Sequence, residues 1–112
     1  MKITKVSEAP TRPNPHGVEV RTIYDHDHGI INLLTIQPGQ ALKKHITPVD
    51  VAFYVVEGEC EVEIGEEIEK VGPDTLVESP AGIPHSLRNP GTSTLRVLVM
   101  KLPKPTKKTI MM

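Results

Sequence analysis

The sequence contains a single cysteine, Cys60, and no tryptophan. One cysteine excludes both an intrachain disulfide framework and a cysteine-based zinc cluster. Aromatic residues make up only 3% of the chain, so its core must be built mainly from valine, isoleucine and leucine. A chain of 112 residues has room for one domain and one hydrophobic core. Because such a small core has little stability by itself, we expect a dimer.

The sequence also lacks an excess of charge and a long apolar run. Thirteen basic and fourteen acidic residues give a net charge of −1, which does not indicate nucleic-acid or anionic-membrane binding. The longest apolar run, residues 51–56, is far below the ~20 residues that span a bilayer. The first residues, Met1-Lys2-Ile3-Thr4, do not begin a hydrophobic segment of the signal-peptide kind. We therefore expect a cytoplasmic protein that binds neither nucleic acid nor membrane.

Prolines and glycines interrupt the chain at short intervals, eleven and eight of them respectively, and leave no room for a long amphipathic helix. The segments between them are rich in β-branched residues and often alternate apolar with polar, which is typical of an all-β sandwich or barrel. Ten strands are predicted, at residues 2–6, 18–24, 30–36, 41–45, 51–56, 60–64, 66–70, 74–78, 85–89 and 95–101. We interpret residues 1–17 as an N-terminal arm and Pro-rich linker, 18–102 as the barrel and 103–112 as a basic tail. The tail lysines, with Lys101 among them, are expected in solvent.

Two connections are predicted to be tight hairpins. A turn at Glu57-Gly58 would pair residues 51–55 with 60–64, which places Cys60 in the core as a small apolar residue and Glu59, Glu61 and Glu63 in water. A turn at Pro38-Gly39 would place His45 opposite Asn32. Strand parity then puts His26 and His28 on the His45 face, provided that Gly29 introduces no bulge.

A third predicted hairpin joins residues 74–78 to 85–89. A symmetric loop would set Glu78 opposite His85 and Leu76 opposite Leu87, all on one face. Apolar walls with a few convergent polar groups are typical of a ligand or metal pocket.

Two spaced motifs run through the middle of the chain. Gly39, His45, Thr47, Val51 and Gly58 follow the spacing G-x5-H-x-H-x3–4-E-x6-G, with Thr47 in place of the second histidine and Val51 in place of the glutamate.

The second motif, G-x5-P-x-G-x2-H-x3-N, is matched by Pro80, Gly82, His85 and Asn89, with Asp74 at the leading glycine position. In this order, the two motifs resemble those of the cupin superfamily over about residues 36–100. The resemblance implies an all-β double-stranded β-helix, or jelly-roll barrel. Cupins often form homodimers by exchanging N-terminal strands, and residues 2–6 with their Pro-rich linker would suit such an arm.

The resemblance also implies a metal site. Metal-binding cupins generally use both histidines and the glutamate of the first motif and the histidine of the second, and here only His45 and His85 remain. Two imidazoles seldom hold a divalent ion alone. Glu78 is therefore our candidate third ligand, for Fe, Mn, Ni or Zn. His26 or His28 would be an accessory ligand or acid/base group at the pocket mouth, and an exposed polar turn is the alternative interpretation of those two residues.

Two functions follow as hypotheses. The first is a metalloenzyme of the oxygenase or isomerase kind acting on a small molecule, with His45 and His85 as ligands, Glu78 as ligand or catalytic base, and Thr47 or Asn32 orienting the substrate. The second is a non-enzymatic module that binds a sugar or metabolite without metal, which the missing donors in the first motif favour. In both, the predicted pocket walls are Asn32, Thr47, Val51, Phe53, Leu76 and Leu87.

Overall fold

The computed structural model describes all 112 residues, and its only helical segment is a 3-10 helix at Val6–Glu8. None of its helical structure is long and apolar enough to span a membrane. The strands are β1 (Glu19–His26), β2 (Gly29–Ile36), β3 (Ala41–Ile46), β4 (Asp50–Glu57), β5 (Cys60–Ile64), β6 (Glu67–Val71), β7 (Thr75–Ser79), β8 (His85–Arg88), β9 (Leu95–Leu102) and β10 (Ile110–Met111).

The strands form two five-stranded antiparallel sheets. Sheet A has the order β1-β2-β9-β4-β7, and sheet B has the order β10-β3-β8-β5-β6. Consecutive strands repeatedly change sheets, so the chain winds around the core as a jelly roll. The predicted all-β, double-stranded β-helix architecture is confirmed.

The core lies between the inward faces of the two sheets. In β4 the burial alternates along the strand, with Val51, Phe53 and Val55 almost fully buried. Cys60 is also fully buried, as the alternating pattern predicts. Each such apolar side chain contributes roughly 1.5–3 kcal/mol by leaving water. On the outward face of sheet B, Glu63 forms an ion pair with Lys44 at 3.2 Å.

The three predicted hairpins are wrong in their pairing. The connections β2–β3, β4–β5 and β7–β8 each carry the chain from sheet A to sheet B, so the strands that they join are not hydrogen-bonded to each other. The turns at Gly39 and Gly58 do reverse the chain, with φ of 83° and 87°. Turn chemistry specifies that the chain reverses, but it does not specify which sheet receives the next strand. The hairpins that form are β1–β2 and β5–β6.

Both chain ends differ from the predictions. Residues 2–6 form no strand. The chain instead runs along the edge of sheet A, where Thr11 bridges to Arg21. The C-terminal residues are not simply a solvated tail, because β10 adds to the edge of sheet B with Met111 opposite His45. Homodimer formation by N-terminal strand exchange stays a prediction.

Candidate functional site

A cavity of about 420 Å³ opens between the two sheets at one end of the barrel. Its size is within the range of small-molecule sites. Inward-facing residues of six strands and short segments from both chain ends line it. They are Arg12, Pro13, Asn14, Pro15, His16, Val20, Thr22, Ile30, Asn32, Leu34, Leu42, His45, Thr47, Val51, Phe53, His85, Val99, Lys101, Thr109 and Met111.

His45 and His85 lie side by side in this cavity. Their strands, β3 and β8, are neighbours in sheet B, and the two residues are direct cross-strand partners. Both side chains are buried. The ring centroids are 4.5 Å apart with the planes at 76°, and the two Nε2 atoms are 3.1 Å apart.

Hydrogen bonds fix the tautomers of both rings. His45 Nδ1 lies 2.6 Å from the carbonyl oxygen of Lys43, which can only accept, so Nδ1 carries the hydrogen and Nε2 of the neutral ring is an acceptor. His85 Nε2 therefore donates to His45 Nε2, and His85 Nδ1 accepts from Ser79 Oγ at 2.7 Å. Thr47 Oγ1 lies 3.2 Å from His85 Nε2. The two imidazoles thus form one closed chain of hydrogen bonds with protein groups.

The prediction that Glu78 faces His85 is wrong, and the metal-ligand and catalytic-base roles that depended on it fall with it. Strand β7 pairs with β4 in sheet A, where Glu78 lies opposite Ala52 and its side chain is exposed. Its neighbour Ser79 points inward instead and is 1% exposed. A shift of one residue in a strand moves every side chain to the other face. Ser79, which the sequence analysis did not single out, therefore takes the place beside His85.

The structure places four of the predicted wall residues, Asn32, Thr47, Val51 and Phe53, at the cavity. Asn32 faces it from sheet A, opposite Thr22 and Val99 rather than opposite His45.

The other two predicted wall residues, Leu76 and Leu87, are not at the cavity. Leu76 is on the outer face of sheet A and 53% exposed. Leu87 is buried, but it packs in the apolar core away from the cavity lining.

His26 and His28 do not reach the cavity, so the accessory role predicted for them is wrong. Both side chains are exposed at the β1–β2 turn, where their rings stack at 5.2 Å and 12°. The prediction extended the parity of β2 back through Gly29, but the chain turns at residues 27–28, so His28 lies in the turn and His26 ends the neighbouring strand β1. The alternative interpretation, an exposed polar turn, describes what the structure shows.

A third histidine at the cavity, His16, was missed. Its Nδ1 accepts the backbone N–H of Lys43 at 2.8 Å, and its ring centroid lies 5.0 Å from that of His45. Asn14 shapes the turn that presents it, since its Oδ1 accepts the His16 N–H and its Nδ2 donates to the Val18 carbonyl. The only sequence signal was a histidine within a Pro-rich segment, and nothing local shows where such a segment docks.

Lys101 was also misassigned, because it faces the cavity rather than solvent. The alternation of Leu95, Val97 and Val99 along β9 places Lys101 on the same inward face, so the signal was present in the sequence. Burial lowers the pKa of the Lys101 ammonium. It forms none of the ion pairs in the structure.

The cavity keeps its imidazoles neutral near pH 7. Burial, followed by the charges of His45 and Lys101, lowers the pKa of His85 to about 4. Burial, followed by the charge of His45, likewise lowers the pKa of His16 to about 4. Burial also lowers the pKa of His45. No aspartate or glutamate lines the cavity to oppose these effects.

This donor set does not fit a metal ion well. Catalytic zinc sites use three protein ligands, and non-haem iron(II) sites use two histidines and a carboxylate. No three histidine, cysteine, aspartate or glutamate side chains converge in the structure. The ring nitrogens of His45 and His85 that face the cavity are hydrogen-bonded to each other. The ammonium of Lys101, which lines the same cavity from sheet A, would repel a cation.

A comparison with known protein families shows which family the chain belongs to. The family model described as "Cupin domain" matches residues 32–101 of the chain. This protein belongs to the cupin family. No protein of curated function matches this cupin in sequence.

Solved structures resemble this cupin along most of its length. The protein TT1209 from Thermus thermophilus is 32% identical, with a TM-score of 0.80 over 94% of this chain and 100% of its own. An uncharacterized protein with a double-stranded β-helix domain from Klebsiella pneumoniae is 18% identical, with a TM-score of 0.82 over 99% and 96% of the two chains. The polyketide cyclase RemF from Streptomyces resistomycificus is 20% identical, with a TM-score of 0.84 over 99% and 84%. The last two likenesses are of fold alone.

Proposed function

We propose that this cupin binds a small organic molecule in its cavity without the aid of a metal ion. The observation that carries the proposal is the donor set around His45 and His85. The Nε2 atoms of the two imidazoles are hydrogen-bonded to each other, no carboxylate joins them, and the charged groups on the cavity wall are the cations Arg12 and Lys101. A cavity of about 420 Å³ with apolar walls and a few polar groups is suited to an organic ligand.

A metal-centred oxygenase or isomerase is the second candidate, and one observation favours it. The 3.1 Å between the Nε2 atoms of His45 and His85 is close to the separation of two nitrogens bound to one ion at about 2.1 Å. Ser79 Oγ could then accept a hydrogen from His85 Nδ1 instead of donating one. This arrangement still supplies only two protein ligands.

Metal analysis separates the two candidates. The protein would be produced with added iron, manganese, nickel and zinc, and its bound metal measured by plasma mass spectrometry. His45→Ala and His85→Ala would be measured alongside, with Glu78→Ala as a matched control that removes an exposed carboxylate. We expect metal well below one ion per chain in every sample. A stoichiometric metal in the parent and in Glu78→Ala that disappears in both histidine variants would overturn the proposal.

Ligand binding itself is tested by NMR. A library of small organic compounds would be screened against the ¹⁵N-labelled protein after chelation of metals. We expect the compounds that bind to change the chemical shifts of the backbone amides of Thr47, Phe53 and Lys101. These cavity residues lie in the β3–β4 connection, in β4 and in β9. Binding compounds that leave these three amides unmoved would place the ligand site elsewhere and refute the proposal.

A further inference from the structure

The cavity has a charge that the chain as a whole does not have. The sequence is nearly neutral, with fourteen acidic residues, yet none of them lines the cavity, whereas Arg12 and Lys101 do. In a partly buried site, opposite charges attract far more strongly than they do in water. The distribution of charge therefore favours an anion in this cavity.

The two cations are not equivalent. Arg12 already interacts with protein groups, because its guanidinium lies 3.5 Å from the Asp25 carboxylate, which also binds Lys104 at 2.6 Å, and its Nε donates to Thr22 Oγ1. Lys101 has no ion-pair partner in the chain. Because the three imidazoles at the cavity are neutral near pH 7, Lys101 is the one cavity cation without an ion-pair partner.

A hydrogen-bond chain on the wall leaves one more donor next to Lys101. Since Arg12 Nε donates to Thr22 Oγ1, the hydroxyl hydrogen of Thr22 is free to donate to Asn32 Oδ1, at 2.8 Å. The Asn32 amide is thereby fixed with its NH₂ group as the free donor. Lys101 lies opposite Ile30 on the neighbouring strand, so Asn32 is its diagonal neighbour on the same inward face.

Apolar side chains form the rest of the inward wall beside these two donors. Val51 is the cross-strand partner of Lys101 on β4, and Phe53 is the partner of Val99 one step deeper. All three apolar side chains are buried. A ligand whose charged end is at Lys101 would therefore have its other end against hydrocarbon.

We infer that the cavity takes a small organic monocarboxylate, with its carboxylate on Lys101 Nζ and the Asn32 amide and its apolar body against Val51, Phe53 and Val99. Lys101, the one cavity cation without an ion-pair partner, matches one negative charge, which favours a carboxylate over a phosphate dianion. This inference rests on the proposed function, because it names the class of ligand that the metal-free cavity would bind.

Benzoate and benzamide test the charge preference, because they share their shape and differ in charge. Each would be titrated into the ¹⁵N-labelled protein near pH 7, and Kd taken from the amide shifts of the cavity residues. We expect benzoate to bind about 10- to 100-fold more tightly than benzamide, as a hydrogen-bonded charge pair requires. Inorganic phosphate would be titrated in parallel and is expected to bind more weakly than benzoate.

Three variants assign the effect to the proposed groups. Lys101→Met keeps the length and apolar stem of the side chain and should remove most of the benzoate preference, whereas Lys101→Arg should retain it. Lys70→Met, which removes an exposed lysine from β6, is the matched control and should bind as the parent does.

Several results would overturn the inference. They are equal binding of benzoate and benzamide by the parent protein, tighter binding of phosphate, a benzoate preference that Lys101→Met retains, and no binding of benzoate at all. Equal binding of the two benzene compounds in the cavity would leave the proposed function standing. The metal content of the same sample decides the proposed function independently of this comparison.

Discussion

The buried histidine pair makes stability depend on pH in a way that can be worked out from His85. Its side chain is 2% exposed, and its pKa in the folded protein is lowered to about 4 from its ordinary value of 6.5. Between these two values the unfolded chain binds a proton at this residue and the folded protein does not. Stability from His85 is therefore fully present above about pH 6.5, falls as the pH drops, and is lost near pH 4.

The size of the effect follows from the two pKa values. Linkage gives a loss of about 2 kcal/mol in the free energy of unfolding between pH 7 and pH 5 from this one residue. That is a large fraction of the stability of a small domain. Urea unfolding at a series of pH values, followed by circular dichroism, measures it directly.

His85→Gln isolates the contribution, because glutamine does not titrate. The variant is expected to be less stable than the parent at pH 7, but its loss on going to pH 5 should be smaller by about 2 kcal/mol. His26→Gln, at an exposed histidine away from the cavity, should keep the pH dependence of the parent. Equal pH dependence in the parent and His85→Gln would refute the reasoning.

Three further predictions concern Gly58, Asn89 and Cys60, which lie outside the cavity lining. Gly58→Ala should lower the free energy of unfolding in urea by more than about 2 kcal/mol, because a Cβ there would lie 2.6 Å from the Thr94 carbonyl oxygen. Gly39 has a similar φ but open space around it, so Gly39→Ala should lower it by only about 1–2 kcal/mol. Equal losses in the two variants would contradict this. Asn89→Ala should cost roughly 2–4 kcal/mol by the same assay, because the buried amide bonds three backbone groups, and a near-neutral effect would count against that role. Cys60 is fully buried and burial raises its pKa to about 12, so iodoacetamide at pH 8 should label it only in denaturant; rapid labelling of the folded protein would show the thiol to be accessible.

The sequence predicts the faces of the strands well and their partners poorly. Alternation is a local property, and it correctly places Phe53, Val55 and Cys60 in the core. Partner choice is not local: β4 pairs with β7 and β9, and none of its own residues indicates this. Each predicted hairpin assumed that strands joined by a short turn are hydrogen-bonded, which fails wherever the chain changes sheets.

The candidate site also divides into residues that local sequence patterns predict and residues that depend on tertiary structure. His45 and His85 could be chosen from the spacing of the two motifs, which the family match supports. The error at Glu78 came from a false cross-strand partner. Ser79 is the next residue in the same strand and therefore faces the opposite side of the sheet, toward His85. His16 reaches the cavity only because the N-terminal segment docks on the edge of sheet A, a contact that depends on tertiary structure rather than on the segment's own sequence.

The alternation of strands between the sheets has a kinetic consequence. The central strand of sheet A, β9, lies between β2 and β4, so Leu98 has both Leu33 and Tyr54 as cross-strand partners. Chain entropy must be given up to close these long loops before any such pair can form. We expect refolding on the millisecond-to-second timescale typical of barrels dominated by non-local pairing. During that interval the edges of half-formed sheets are open to association with other chains, so aggregation should compete with refolding as the protein concentration rises.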